Sequence, residues 1–289
     1  MASTQQLKSR IRSVKSTKQI TKAMQMVAAS KMRRAQEATK SSQAYTMAAR
    51  ELLTYLAAQG ATNGHKWFTV RPVKSRLLIV VASDKGLAGA YNANILKSYV
   101  HELKSDDAAN IANKTIAVGR KIAQAATRIK DTEIVGTYED LPDHFSGAEF
   151  HAILNTAKDM FEANQVDAVD VIFTRFVSSL TQRADVVRLF PAGFTPTDDV
   201  QSDIAEAKFE PSPKQIIDDI AYRLISARLF QALTDSRASE HSMRMLAMKN
   251  ATDNATDLVD ALTLEMNKAR QAAITQELTE ISAGVEAMQ

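Results

Sequence analysis

Two stretches of helix-favouring sequence, one at each end of the chain, dominate the pattern of apolar and polar positions. Neither 1–59 nor 214–283 contains a Gly or Pro, whereas all but one of these residues lie between Gly60 and Pro213. At about 1.5 Å per residue, such helices would run roughly 80 to 100 Å, which exceeds the size of one compact domain. The pattern therefore predicts two long terminal helices with a globular insertion between them.

Both terminal stretches carry apolar residues at helical spacing. In the first, alternating spacings of four and three connect Leu7, Ile11, Val14, Lys18, Thr21, Gln25, Ala28, Met32 and Ala35, with a neighbouring stripe of Ile20, Met24 and Val27. This spacing is typical of a coiled-coil seam. The apolar positions of the last stretch are Met243, Leu246, Leu258, Leu262, Met266, Ala269, Ala273, Ile274, Leu278 and Ile281. Since each helix would otherwise expose an apolar face, we expect a long antiparallel coiled coil of the N- and C-terminal helices.

The middle of the chain alternates between short apolar runs and helical stretches. Strands are predicted over 76–82, 115–118, 133–137, 168–178 and 185–190, the last two as a hairpin, and helices over 93–104, 120–129 and 150–163. A continuous apolar run such as 76–82 is typical of a buried parallel strand, and strand–helix alternation indicates an α/β layered domain. The predicted fold class is α/β, with an inserted Rossmann-like domain. The expected domain boundaries are 1–59, 70–205 and 210–287.

Composition and charge restrict the possible functions. The chain has no cysteine, which excludes disulfides and thiolate metal sites, and no apolar run approaches the ~20 residues that span a bilayer. Ten Lys and Arg residues stand against the single acid Glu37 in residues 1–40, although the net charge of the whole chain is only +3. This basic segment is either a solvated helix face or a binding surface for an acidic protein, nucleic acid or an anionic membrane. It has no aromatic residue before Tyr45 on which a base could stack.

Catalytic motifs are missing from the sequence. The loop Ser83–Gly89 (SDKGLAG) lies after the first strand, but the chain contains neither G-x-x-x-x-G-K-[ST] nor G-x-G-x-x-G. The five histidines show no metal-binding spacing, and there is no G-x-S-x-G motif. The residues therefore predict a protein that is not an enzyme and has no catalytic, cofactor or metal site.

Several segments together resemble one known family. They are Ile20–Lys31 (ITKAMQMVAASK) within 7–35, Ser239–Met245, Ala247–Ala255, Arg270–Ile281 (RQAAITQELTEI), the loop Ser83–Gly89 and Phe209–Pro211. These segments are similar to those of the γ subunit of F-type ATP synthases, and the resemblance is strongest at the two ends of the chain.

The resemblance implies a central rotor shaft. The coiled coil would lie inside a ring of α and β subunits, and the globular domain would bind the ε subunit and the membrane ring of c subunits. One copy per complex would couple transmembrane proton flow to ATP synthesis or hydrolysis at the β subunits by rotation. The implied location is peripheral, on the cytoplasmic face of the bacterial plasma membrane. The alternative is a cytoplasmic coiled-coil adaptor that binds an acidic protein partner or nucleic acid.

The resemblance also implies which residues meet the β subunit. Arg270, Gln271, Thr275 and Glu277 match positions that contact a β-subunit loop. Met24 matches a position where an introduced charge disturbs coupling. The remaining implied contacts are Asp84, Lys85 and Gly86, in the loop after the first strand.

Overall fold

The protein is described by a computed structural model over residues 4–58, 60–130, 132–142, 148–193 and 212–286. Two long helices, α1 (Thr4–Ala58) and α5 (Pro213–Glu286), enclose all the other elements in sequence. These are β1 (Ser75–Val81), α2 (Tyr91–Ala108), β2 (Ala112–Val118), α3 (Arg120–Ala126), β3 (Glu133–Tyr138), α4 (Ala148–Glu162), β4 (Ala168–Phe176) and β5 (Gln182–Phe190). Every helix and strand predicted from the sequence is present.

The chain forms two compact units, and both long helices pass through both units. The coiled-coil unit contains the described residues up to Ala28 and from Arg244 onward, and the sheet unit covers Ala29–Met243. The boundaries predicted from the sequence, 1–59, 70–205 and 210–287, stay a prediction. Several of their end points, including 205 and 210, lie outside the described residues, as does the motif Phe209–Pro211.

The sheet unit is built on five strands in the order β3-β2-β1-β4-β5. The first four strands are parallel, and β5 pairs antiparallel with β4 as the predicted hairpin. Strands β1 and β4 lie inside the sheet, which explains why nearly all of their residues are buried. Both are buried on their two faces because helices cover each side of the sheet.

Alternate residues of the central strands separate into two cores. Leu78 and Val80 face α2 and α3, whereas Leu77 and Ile79 face α4 and α5. Close packing at the end of β2 depends on Gly119, which has φ +101° and whose added Cβ would lie 2.3 Å from the Ala82 carbonyl oxygen. The result is a three-layer α/β unit in which α5 forms part of one outer layer.

The coiled-coil unit confirms the antiparallel pairing of the two terminal helices. Leu7 and Ile11 of α1 pack with Val259 and Leu262 of α5. At the polar position Thr21, the hydroxyl lies 2.8 Å from that of Thr252. All nine predicted seam positions of α1 are buried or half-buried, including Lys18 and Gln25.

The predicted seam of α5 was partly wrong. Five of the predicted positions are exposed: Leu246, Leu258, Ile274, Leu278 and Ile281. The positions that are buried or half-buried at spacings of four and three are Met248, Thr252, Ala255, Val259, Leu262, Met266 and Ala269. This heptad pattern is difficult to recognise in the sequence because two of its positions are occupied by Thr252 and the small residue Ala255. The larger Leu258, next to the buried Val259, gives a stronger apolar signal but is not part of the pattern. Packing against the described part of α1 extends to Ala269.

Candidate functional site

The C-terminal part of α5 presents polar side chains to solvent. Arg270, Gln271, Thr275 and Glu277 are all exposed, and at about 100° per residue they occupy one half of the helix circumference. The Thr275 hydroxyl donates to the Gln271 carbonyl oxygen at 2.9 Å, which leaves its lone pairs free to accept. Within the described part of the chain, the side chains of Arg270, Gln271 and Glu277 form no hydrogen bond or ion pair. These groups are available to a partner.

An apolar stripe runs between these polar side chains. Ile274, Leu278 and Ile281 lie on the same half of α5 and are 50%, 61% and 64% exposed. Contiguous exposed apolar side chains that are flanked by polar groups are typical of protein interaction sites. The stripe thus identifies the end of α5 as a candidate protein-binding surface.

Met24 lies on a different part of the coiled-coil unit, on α1. Its side chain is half-buried, between the exposed residues Ile20 and Val27 of the neighbouring stripe. The basic residues nearest to it in sequence, Lys18 and Lys22, are half-buried and exposed respectively. A charge placed at Met24 would therefore be added at the border of a partly apolar, basic surface.

In the sheet unit, the loop after β1 has one side chain that is turned inward, that of Asp84, followed by exposed residues. The Asp84 side chain is only 10% exposed and lies 3.6 Å from the guanidinium of Arg237. The Asp84 carboxylate accepts the backbone N–H groups of Arg120 at 3.0 Å and Asp140 at 3.1 Å. Lys85 and Gly86 are exposed. Asp84 therefore positions the turn, and its neighbours form the accessible surface.

A polar section of α5, which overlaps the family segment Ser239–Met245, holds the helix against β4. Ser236 Oγ accepts the Thr174 backbone N–H at 3.0 Å, and Ser239 Oγ donates to the Thr174 carbonyl oxygen at 3.2 Å. Arg237 donates to the carboxylate of Glu240 at 3.2 Å. Burial opposes the charge of Arg237, but the carboxylates of Glu240 and Asp84 outweigh it and raise the pKa of the guanidinium. The run of Ser, Asp and Glu between apolar turns was the sequence signal for this contact.

Neither a metal centre nor a membrane span is found in the described part of the chain. No three His, Asp or Glu residues there come close enough to hold an ion. None of the helices described is long and apolar enough to cross a bilayer. The arrangement can present surfaces to other proteins, and the N-terminal half of α5 is bonded into the sheet unit.

Comparison with known proteins agrees with this arrangement along the whole chain. The model of the ATP synthase family matches residues 3–288. The ATP synthase gamma chain of Desulforamulus reducens is 38% identical over 289 residues, with all of both chains covered. The chain belongs to the ATP synthase gamma chain family. The gamma chain of Staphylococcus epidermidis is 35% identical, again over the full length of both chains.

Two solved structures show the same fold. A chain from the central stalk and c-ring of Tetrahymena thermophila mitochondrial ATP synthase aligns with a TM-score of 0.62 at 24% identity. That alignment covers 80% of this chain and 99% of the other. A chain from the Euglena gracilis mitochondrial ATP synthase aligns with a TM-score of 0.68 at 18% identity and covers 99% and 94%.

Proposed function

We propose that this gamma chain is the central rotor shaft of an F-type ATP synthase. Its coiled-coil unit lies inside the ring of α and β subunits, and its sheet unit binds the ε subunit and the c-ring. Rotation couples transmembrane proton flow to ATP synthesis or hydrolysis at the β subunits. Because the shaft has no three-fold symmetry, each orientation presents different contacts to three otherwise equivalent sites and biases their affinities for nucleotide.

The observation that carries the proposal is the exposed stripe Ile274, Leu278 and Ile281 at the end of α5, in a chain that matches gamma chains end to end. A small apolar stripe among polar groups suits a bearing inside a ring. It gives enough contact to hold the helix tip, and the polar rim keeps the contact from becoming a permanent hydrophobic interface.

The residues proposed to meet the β subunit divide into three surfaces. Arg270, Gln271, Thr275 and Glu277 form a polar rim whose side-chain donors and acceptors can bond across a subunit boundary. Met24 borders the basic surface of α1, which faces acidic segments of the ring. In the loop after β1, Lys85 and Gly86 provide the direct contact, and Asp84 holds the loop in position.

The proposal includes a non-catalytic role for this subunit. The nucleotide chemistry belongs to the β subunits, and this chain supplies no catalytic residue, cofactor site or metal site. Its position is peripheral, on the cytoplasmic face of a bacterial plasma membrane. The alternative, a cytoplasmic adaptor for an acidic protein or nucleic acid, has no support from the family match.

Single-molecule rotation tests this function directly. The chain has no cysteine, so a Val70→Cys variant in an otherwise cysteine-free complex gives one attachment point for a bead on the sheet unit. With the catalytic head fixed to glass, ATP is expected to drive stepwise rotation of the bead in one direction. As a control, a bead attached to the head itself must stay still. ATP hydrolysis without bead rotation, or a tagged chain that purifies without α and β subunits, would contradict the proposal.

The polar rim is tested by paired carboxylate variants of the same helix. Glu277→Gln is expected to lower ATP-driven proton pumping relative to hydrolysis. Glu265→Gln removes an exposed carboxylate on another face of α5 and is expected to change neither. Equal pumping by both variants would remove Glu277 from the proposed contact.

A further inference from the structure

Helix α5 is held in the sheet unit in two different ways along its length. Over residues 217–233 it packs mainly through apolar side chains, which belong to two hydrophobic clusters. Over Ser236–Ser242, here called the polar segment, the buried side chains are mostly polar or charged: Ser236, Ser239, Glu240, His241 and Ser242. Hydrophobic packing has no preferred direction, whereas a hydrogen bond requires a defined distance and angle. The polar segment is therefore the part of α5 whose orientation the sheet unit can fix most closely.

At the end of β4, the polar segment takes the place of a neighbouring strand. Strand β1 pairs with β4 as far as Val80 and Ile172, so Thr174 lies beyond the end of this pairing. The Thr174 backbone N–H donates to the Ser236 hydroxyl at 3.0 Å, and the Thr174 carbonyl oxygen accepts from the Ser239 hydroxyl at 3.2 Å. Both bonds are buried, where an unpaired backbone group is costly. A rotation of α5 that breaks them would leave these groups of β4 without partners.

The last turn of the polar segment is bonded to the tip of the β4–β5 hairpin, Val177–Thr181. Ser242, which is fully buried, donates through its hydroxyl to the Ser179 carbonyl oxygen at 2.7 Å. The same hydroxyl accepts the side-chain amide of Gln182 at 3.2 Å. Ser242 thus acts as donor and acceptor at once, and the hairpin holds the helix through both its backbone and a side chain.

Arg237 connects the polar segment to two further loops. Its guanidinium donates to the Leu141 carbonyl oxygen at 2.9 Å and pairs with the carboxylates of Glu240 at 3.2 Å and Asp84 at 3.6 Å. The polar segment is therefore bonded to β4, to the hairpin tip, and to the loops that follow β1 and β3. A rotation of α5 about its own axis would disturb all of these contacts together.

The spacing of the serines makes the contact sensitive to such a rotation. Ser236, Ser239 and Ser242 follow one another at intervals of three residues, so successive hydroxyls lie about 60° apart around the helix. With side-chain atoms about 5 Å from the helix axis, a rotation of about 15° moves each hydroxyl by roughly 1.3 Å. That shift strains each hydrogen bond in length or in angle.

We propose that the polar segment is the joint that transmits torque between the sheet unit and α5, and that Ser239 and Ser242 are positioning residues that set the rotation of the helix. The inference rests on the proposed rotor function, since torque passes along α5 only if the chain rotates as a shaft. Helix α5 is continuous from Pro213 to Glu286, and the sheet unit ends at Met243, one residue after the polar segment. The joint is therefore formed by the last turns of α5 that the sheet unit contains, where slippage of the helix would lose torque.

Single-molecule rotation of the whole complex tests the joint. The double variant Ser239→Ala/Ser242→Ala removes only the two hydroxyls. Ser226→Ala is the matched control, because Ser226 is a buried serine of the same helix and unit whose hydroxyl has no hydrogen-bond partner in the described part of the chain. A bead on Val70→Cys reports the sheet unit while the catalytic head is fixed to glass. The angular variance of the bead during pauses between steps is expected to rise several-fold in the double variant and to keep the wild-type value in the control.

The angular variance separates a joint from a contact that only stabilises the fold. Loss of these hydrogen bonds lowers the urea midpoint of the chain in either case. A double variant with a lower midpoint but the same angular variance as Ser226→Ala would overturn the inference and leave the rotor function standing. A wild-type complex that hydrolyses ATP without rotation of its bead would contradict the rotor function itself.

If the double variant does not assemble, two single substitutions at Ser239 decide the question. Ser239→Ala removes the donor to the Thr174 carbonyl oxygen, whereas Ser239→Thr keeps a hydroxyl at the same position. We expect a larger angular variance for Ser239→Ala and the wild-type value for Ser239→Thr. Equal variance in the two variants would overturn the inference.

Discussion

Replacement of Asp84 by alanine separates the two roles that sequence and structure suggest for this residue. The family resemblance implies a contact with a neighbouring subunit. In the structure the carboxylate accepts two backbone N–H groups, those of Arg120 and Asp140, and faces Arg237. Because these groups belong to the chain itself, Asp84→Ala is expected to destabilise the sheet unit before any partner is present.

The size of the effect follows from the three lost interactions. An orphaned backbone N–H costs about 1–3 kcal/mol when it is buried. The Arg120 N–H is partly buried and the Asp140 N–H is exposed, so we assign about 2 kcal/mol to the first and less than about 1 to the second. Arg237 keeps its ion pair with Glu240 at 3.2 Å and is not left as an unpaired buried charge, so the loss of its longer contact with Asp84 at 3.6 Å costs about 1 kcal/mol. The expected total is about 3–4 kcal/mol for Asp84→Ala, and about 1 for Asp84→Asn, which keeps an acceptor oxygen.

Urea unfolding followed by Trp67 fluorescence measures this loss. Trp67 is the single tryptophan, is buried and belongs to the sheet unit, so its signal reports on the unit that contains Asp84. With a slope of about 3 kcal/mol per M, Asp84→Ala lowers the urea midpoint by about 1 M. Lys121→Ala, at an exposed position of α3 in the same unit, should leave the midpoint unchanged. The reasoning is refuted if Asp84→Ala unfolds like the wild-type chain but uncouples the assembled complex, because the carboxylate then serves a partner.

Three further predictions address coupling, a buried ion-pair network and pH. Met24→Lys should leave ATP hydrolysis intact but weaken ATP-driven proton pumping, because the new cation pairs with a β-subunit acid and prolongs one rotary state; unchanged pumping would contradict this. Arg76→Met should cost about 3–5 kcal/mol of unfolding free energy by Trp67 fluorescence, since it strands the carboxylates of Glu102 and Asp106 and leaves Asp170 with Arg188 as its partner. Arg188→Met, at the rim of the same network, should cost less. Burial raises the pKa of Asp235 to about 6, above the unfolded value of about 3.9. Folding therefore favours the protonated form, so Asp235→Asn should stabilise the chain by roughly 2–3 kcal/mol at pH 7.5 and by only about 0.5 kcal/mol near pH 4. Equal urea midpoints at pH 7.5 would show that the carboxylate is not desolvated.

The sequence determined which elements form. Stretches without Gly or Pro became α1 and α5, and the apolar run of β1 became a central strand, because local propensity and burial periodicity act over short distances in the chain. The α1 seam could also be predicted from the sequence, since residues at alternating spacings of four and three from Leu7 to Ala35 are buried or half-buried even where they are polar. The family resemblance, carried by short segments at both ends, identified the family that the full-length comparison shows.

Only the tertiary structure decided which apolar residues meet a partner within the chain. Leu258 and Val259 are adjacent in sequence, and which of them enters the seam depends on the rotation and register of α5 against α1. That choice involves residues more than two hundred positions apart, such as Thr21 and Thr252. The same applies to Asp84, whose carboxylate is turned inward by backbone groups from two other loops, and to Ser242, which bonds the hairpin tip. Helical spacing tells which residues share a face of a helix, but only packing tells whether the chain itself covers that face. This is why the sequence identified Ile274, Leu278 and Ile281 as apolar positions, and only the structure showed that they are exposed.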